Sequence, residues 1–254
     1  MKKSYNERIE HLTKKWVGAL YESKSYGTVI VVEVVSLTHV KVRFLKTNYE
    51  YIIHKSSVKK GSLKDPLQPT VCGVGVTGIG YYSPPTHPKH YSLWSQMLAR
   101  CYSDKYAKSL DYKDCSVSDE FKNFQIFSSW CDSQIGFNVK GFDLDKDLLS
   151  RDVKIYSKDT CVFIPEEVNL TLRCPKSRSI YRGVRQTTAG TYYSQYNTTT
   201  RSIHLGTFTT PEEAFYAYKT GKEAHVKYLA DKYKDVIDPR AYKALYEWTI
   251  NIND

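Results

Sequence analysis

Apolar positions change period along this chain, and each change marks an element. Ile9, Leu12 and Trp16 stand three and four apart, so residues 4–16 predict a short amphipathic helix. Gly27 to Val35 is a nearly continuous β-branched run. Val40-Lys41-Val42-Arg43-Phe44 then alternates apolar with basic before a turn near Thr47-Asn48 and a further strand through Ile53. A helical period returns over Tyr91 to Tyr102, with Leu93, Trp94, Met97, Leu98 and Cys101 inward. It recurs over Glu120 to Cys131, with Phe121, Phe124, Phe127 and Trp130 on one face. Tyr112 to Val117 reads as a strand between them. The C-terminal third predicts three strands and a helix. Thr210-Pro211-Glu212-Glu213 is a capping box with proline in the first turn, so the helix starts there, and Ala214, Ala217, Tyr218, Gly221, Ala224 and Tyr228 form its expected inner stripe.

The chemistry of this last segment is specific. In Tyr192-Tyr193-Ser194-Gln195-Tyr196-Asn197, a period of two puts Tyr192 and Tyr196 on one face and Tyr193, Gln195 and Asn197 on the other. The next strand repeats the division, with Ile203 and Leu205 inward and Ser202 and His204 outward. Tyr181-Arg182-Gly183-Val184-Arg185 adds two guanidinium forks suited to guanine edges or phosphates, around a glycine that permits a bend or a close approach. On these residues, Tyr181 to about Asp235 resembles the Apetala-type (plant ethylene-response-factor) DNA-binding domain, which also recurs in bacteriophage proteins. The resemblance implies a sheet in the major groove braced by a helix, with contacts from Arg182, Arg185, Thr187, Gln195, Asn197 and His204. Tyr193 and Arg201 complete the candidate DNA-binding set. Thr187 and Asn197 stand where arginines are usual, and Ala189 and His204 where tryptophans are usual, so the plant target sequence does not carry over.

Charge agrees with a polyanionic partner. The 254 residues carry a formal +10. Residues 1–70 hold 13 Lys and Arg against 6 Asp and Glu, residues 71–177 hold 13 against 13, and residues 178–235 hold 9 against 5. Two basic ends thus flank a neutral middle, as expected if the ends grip phosphates. No apolar run is long enough to cross a bilayer and the N-terminus is too polar for a secretory signal, so the expected location is cytoplasmic, the host cytoplasm if phage-encoded, with no membrane partner. None of the six cysteines forms a Cys-x-x-Cys pair, and they read as reduced and mostly buried. Cys101, Cys115, Cys131 and Cys161 could meet at a structural zinc, but no paired spacing asks for one.

Gly73-Val74-Gly75-Val76-Thr77-Gly78 matches a dinucleotide fingerprint letter for letter. It is rejected, because Ile79-Gly80-Tyr81-Tyr82-Ser83-Pro84-Pro85 cannot supply the helix that must follow. The central region is more informative. Trp94, Met97, Arg100-Cys101-Tyr102, Cys115, Trp130, Leu144-Asp145-Lys146-Asp147, Tyr156-Ser157 and Cys161 together resemble a phage branch of the HNH endonucleases. That resemblance implies a strand-strand-helix core holding one divalent metal, magnesium or manganese, against the scissile phosphate. By position it implies Asp145 as a metal ligand, with Asp147 nearby as a second ligand or a structural group, the two pointing to one side of a strand. Lys146 falls where many relatives have the general-base histidine, and Thr160 where many have asparagine. His87 and His90, just before the first central helix, are alternative bases.

The expected architecture is α+β and multidomain. A basic β-rich domain spans 1–70, a linker 71–88, an HNH-like ββα core with flanking helices 89–173, and a second linker 174–179. A three-stranded antiparallel sheet packed on one helix follows at 180–235, then a helical tail at 236–254. The leading expectation is a homing-type endonuclease acting on double-stranded DNA. The alternative is a DNA-binding, regulatory protein on a nuclease scaffold without catalysis.

Overall fold

A computed structural model describes residues 4–106, 114–150, 153–173 and 180–253. The fold is mixed α+β and divides into two compact units, residues 1–91 with 122–125, and residues 92–121 with 126–254.

The first unit opens with α1 (Tyr5–Trp16). Its start is fixed by a capping box in which the Glu7 N–H donates to Ser4 Oγ and the Ser4 N–H donates to Glu7 Oε2. Strands β1 (Leu20–Ser23), β2 (Gly27–Val34), β3 (His39–Phe44) and β4 (Glu50–His54) follow as an antiparallel meander in chain order, and α2 (Lys55–Lys59) closes it. Alternation sends Val29, Val31, Val40, Val42 and Phe44 inward against Trp16, and a register shift between Val31 and Glu33 brings Val34 back to the core. The cationic face of the β3–β4 hairpin is partly neutralised, with one carboxylate set between two cations. Glu50 lies 3.1 Å from Lys41 Nζ and 2.6 Å from Arg43.

The segment 71–88 is tied down rather than loose. Val71 bridges Gly75, Val76 bridges Asn123, and the Gln125 amide donates to the carbonyls of Thr77 and Tyr82. Between Gly73 and α3 (Pro88–Tyr102) no helix begins, so the glycine run has no helix N-terminus directly behind it. Helix α4 (Phe124–Ser133) begins later than its apolar spacing suggests, because Asn123 Oδ1 accepts from the Gln125 N–H and halts the turn there.

In the second unit, Trp94, Met97 and Leu98 of α3 are buried, and Trp94 Nε1 donates to the Phe121 carbonyl at 2.8 Å. Strand β5 (Ser116–Val117) pairs in parallel with β7 (Ile155–Tyr156); residues 112 and 113 of the expected strand lie outside the described residues. Strand β6 (Phe142–Asp145) pairs antiparallel with β8 (Val162–Pro165), β7 lies between them in the chain, and α5 (Glu166–Leu172) follows β8 at once.

The C-terminal sheet has the order β11–β10–β9, from β9 (Val184–Gln186), β10 (Tyr192–Asn197) and β11 (Ser202–Phe208), and packs on α6 (Pro211–Tyr233). This helix serves two cores. Its first half sends Ala214, Phe215 and Tyr218 to the sheet with Val184, while its second half sends Val226, Leu229 and Ala230 to Val162, Ile164 and Val168. The inner stripe therefore drifts from the expected one: Ala224 and Tyr228 are exposed, and Phe215, Lys222, Val226 and Leu229 are buried instead. The second core explains the difference, since the later turns of α6 meet Val162, Ile164 and Val168 with Val226, Leu229 and Ala230 and leave Ala224 and Tyr228 on the other side. Helix α7 (Pro239–Tyr246) adds Ala241 and Leu245 to the second core. Among the described residues no helix is long and apolar enough to cross a membrane.

Gly183 is where sheet and helix come closest. Its φ is +74°, and a Cβ there would sit 2.0 Å from a Tyr218 ring carbon. Gly183→Ala is expected to lower unfolding stability by about 2–4 kcal/mol, from left-handed backbone strain plus overpacking, measured by chemical denaturation.

Candidate functional site

The face of the C-terminal sheet turned away from α6 collects most of the residues singled out for DNA contact. Strand register builds it in rows. Arg185 pairs with Tyr193, and Tyr193 with Thr207 on the far side; the next row is Gln195 with His204, and the last is Asn197 with Ser202. The Tyr193 and His204 rings approach to 6.1 Å between centroids, so the first two rows touch. Below them, Tyr192 and Tyr196 point to the helix side as their parity requires, and Ser194 is fully buried between them.

One outward residue escapes simple alternation. The register shifts where Ser194 pairs with Gly206 and Gln195 with His204, leaving Leu205 as the extra residue on β11. Gly206 takes φ +132° at that point. His204 and Thr207, three residues apart, are consequently both exposed, while Leu205 and Phe208 face the core side. Two apolar residues three apart in a strand, with glycine between, are the signal in the sequence for such a bulge.

The remaining candidates sit at the rim. Arg182 is half-buried at the entry to β9, and Arg201 is exposed in the β10–β11 turn, where its N–H donates to Thr198 Oγ1 at 3.1 Å. Thr187 is committed to the β9–β10 turn: its N–H donates to the Thr191 carbonyl and its hydroxyl lies 2.8 Å from that of Thr191. Asn197 accepts from Ser202 Oγ at 2.6 Å through its carbonyl oxygen, which leaves the amide NH2 to point outward. Residues 180–211 contain Arg182, Arg185 and Arg201 and not one Asp or Glu. Gly183, read as permitting a bend or a close approach, makes its approach to Tyr218.

The helix side supplies the brace. Lys222 is buried with its Nζ 5.6 Å from the Tyr196 ring centroid, and the His225 ring lies tilted against Tyr196 with centroids 5.4 Å apart.

The central acidic turn is arranged differently from expectation. Strand β6 ends at Asp145, so Asp147 lies in the turn beyond it and strand parity does not align the two carboxylates. Asp145 Oδ2 accepts the N–H groups of Asp147 at 2.9 Å and Leu148 at 2.7 Å, and burial raises its pKa above the ordinary carboxylate value. Lys146 is 4% exposed and donates to Asp147 Oδ1 at 2.5 Å. Burial alone would lower its pKa, but the Asp147 carboxylate outweighs this and raises it, which favours the ammonium form over the neutral amine that a general base needs. Thr160 donates to the Ile155 carbonyl at 2.6 Å and accepts from the Ser157 N–H, which closes the turn ahead of β8. His90 packs among the rings of Tyr82 and His87, at 5.5 and 5.4 Å, in the first unit.

A divalent ion does not fit the acidic turn as it stands. One Asp145 oxygen already holds two N–H donors, one Asp147 oxygen holds an ammonium, and that ammonium would repel a second cation. Among the described residues no three His, Cys, Asp or Glu side chains gather as metal ligands, and Cys101, Cys115, Cys131 and Cys161 are free thiols.

His225 yields a test of the brace. Burial, and then the neighbouring Lys222, push its pKa below the ordinary histidine value. Between the folded and unfolded pKa values the unfolded chain binds the extra proton, so stability is lost as pH falls through that window and is complete above it. Melting temperature is expected to rise with pH across the histidine range, and His225→Gln is expected to flatten that rise. Comparison with protein-family models, with curated proteins and with solved structures gives no match to this chain.

Proposed function

We propose that the outer face of the β9–β11 sheet binds duplex DNA in the major groove and reads part of its sequence. The observation that carries this reading is the combination of three arginines on or beside one small sheet, no carboxylate in residues 180–211, and three rows of outward hydrogen-bonding side chains. Three strands spaced about 4.8 Å apart make a slab roughly 10 Å across, which matches a major groove about 12 Å wide. Side chains two apart on a strand are separated by roughly 6.7 Å, close to two base-pair steps of about 3.4 Å each. Gln195 and Asn197 therefore address positions two base pairs apart. Their amides suit adenine edges, and the Arg185 fork suits guanine. Arg182 and Arg201 at the rim suit phosphates. The sheet-on-helix arrangement is also the one that the Apetala-type resemblance implies.

Recognition rather than cleavage is the activity proposed. At the acidic turn, one oxygen of Asp145 is held by two backbone N–H groups and one oxygen of Asp147 by the Lys146 ammonium, a set of contacts that supports a structural turn.

Selection from a random duplex pool is expected to yield a defined site. On that site Arg185→Ala and Gln195→Ala should each relax discrimination at a different base pair by about 1–3 kcal/mol, while Arg201→Ala weakens all sequences alike and reduces the salt slope by about one. Equal losses on every sequence from all three variants would reduce the surface to phosphate contact. Supercoiled plasmid carrying the selected site is expected to stay uncut in magnesium or manganese at protein concentrations that shift it on a gel; nicks lost in Asp145→Asn would replace recognition with cleavage.

A further inference from the structure

In the first unit, residues 77–82 form a loop whose shape is set by one side chain. Gln125 Nε2 donates to the Thr77 and Tyr82 carbonyls, both at 2.8 Å, and Gln125 Oε1 accepts the Tyr82 N–H at 3.0 Å. The clamp is itself anchored. The Gln125 N–H donates to Asn123 Oδ1 at 2.9 Å, and the Val76 N–H, just before the loop, donates to the Lys122 carbonyl at 3.0 Å. Two glycines let the loop wrap this amide: an added Cβ at Gly80 would collide with Gln125 Oε1, and one at Gly78, where φ is +68°, would lie 2.8 Å from Asn123 Oδ1. A loop whose backbone groups are satisfied from within in this way is held in one conformation.

What the clamped loop presents outward is apolar. Ile79 is 63% exposed, and Tyr81, at 80%, is the most exposed large apolar side chain among the described residues. The Tyr81 ring is braced rather than loose. Its centroid lies 5.3 Å from that of Tyr82 and 4.9 Å from that of His87, with both rings set steeply to it, and Thr86 Oγ1 lies 2.8 Å from His87 Nδ1. His90 packs behind Tyr82 and His87. A single exposed apolar side chain needs no explanation, but two on a clamped loop, the larger one backed by other rings, make a preformed contact surface. Its charge is one-sided. The stretches that build the loop and its support, residues 66–91 and 122–125, hold Lys89 and Lys122 and not one Asp or Glu. A ligand with a flat apolar part and negative charge beside it fits these surroundings, and an unpaired nucleotide has both.

We infer that Tyr81 is a stacking platform for an unpaired base of a single nucleic-acid strand, with Ile79 against the neighbouring nucleotide and Lys89 and Lys122 drawing in the backbone phosphates. This site is separate from the C-terminal sheet. The sheet takes paired bases by their edges, whereas stacking takes a base by its face and requires it to be unpaired. The pre-set ring lowers the ordering cost of that contact, since the loop has little freedom left to lose.

The test titrates the full chain with a labelled oligo(dT), an oligo(U) of equal length and a mixed-sequence duplex, read by fluorescence anisotropy. Tyr81→Ala is expected to weaken binding of the preferred single strand about tenfold, Tyr81→Trp to keep it, and neither to change affinity for the duplex. Both variants are expected to melt with the wild type, because the side chain is exposed. A strand carrying 5-iodouracil is expected to photocross-link to Tyr81, located by mass spectrometry of the joined peptide. Unchanged single-strand affinity in Tyr81→Ala, an equal loss on strand and duplex, or cross-links confined to the C-terminal sheet overturns the proposal. So does self-association of the chain that Tyr81→Ala abolishes while strand binding persists, which would make the loop a contact between two copies.

Discussion

The contact of Gly183 with the Tyr218 ring governs how the C-terminal half is built. Arg182 and Arg185 flank this glycine, and only a residue without a Cβ lets their strand lie that close to α6. Gly221 repeats the condition from the helix side, where an added Cβ would meet Leu205 at 2.9 Å. Small residues at two crossing points bring the sheet down onto the helix, and the large side chains that remain, Phe215 and Tyr218, fill the space between. A sheet held this tightly from behind presents its other face as a fixed array. That fixity is what base readout demands, because side chains anchored to rigid strands lose little further freedom on binding.

Helix α6 then extends this constraint. The side chains of its second half complete the core formed by β8, α5 and α7, so the sheet and the central region share one rigid strut. The chain returns along the same helix: the Ile250 N–H donates to Glu223 Oε1 at 2.9 Å and Lys219 Nζ donates to the Ile250 carbonyl at 2.6 Å. Charge follows the same division of labour. Carboxylates hold the helix start, where Glu213 closes the capping box, and pair with Lys219 and Lys232 on the helix flanks, while the three strands keep arginines without acidic neighbours in sequence. At the other end of the chain the basic hairpin shares its cations with Glu50, so a similar excess of positive charge has a different local meaning.

Much of this was legible in the sequence where periodicity and caps act locally. The alternation of Tyr192 to Asn197, the capping box at Thr210 and the β-branched run after Gly27 each fix their own element, and the structure has them where the pattern puts them. Legibility failed where distant parts of the chain decide. The stripe of α6 could not be read from its own spacing, because the second core that selects Val226 and Leu229 comes from residues 60 to 80 positions earlier. Asp145 and Asp147 read as partners on a strand, yet the strand stops at Asp145 once its carboxylate finds two backbone N–H groups. Thr207 was hidden by a bulge.

The most direct measurement of the central claim is amide chemical-shift mapping of the full chain titrated with its selected duplex. The account predicts that perturbations concentrate in Arg182 to Gln186, Tyr193 to Asn197 and Arg201 to Thr207, with the buried face of α6 quiet. Perturbations centred on the N-terminal sheet or on the exposed side of α6, with β9 to β11 unchanged, would contradict it.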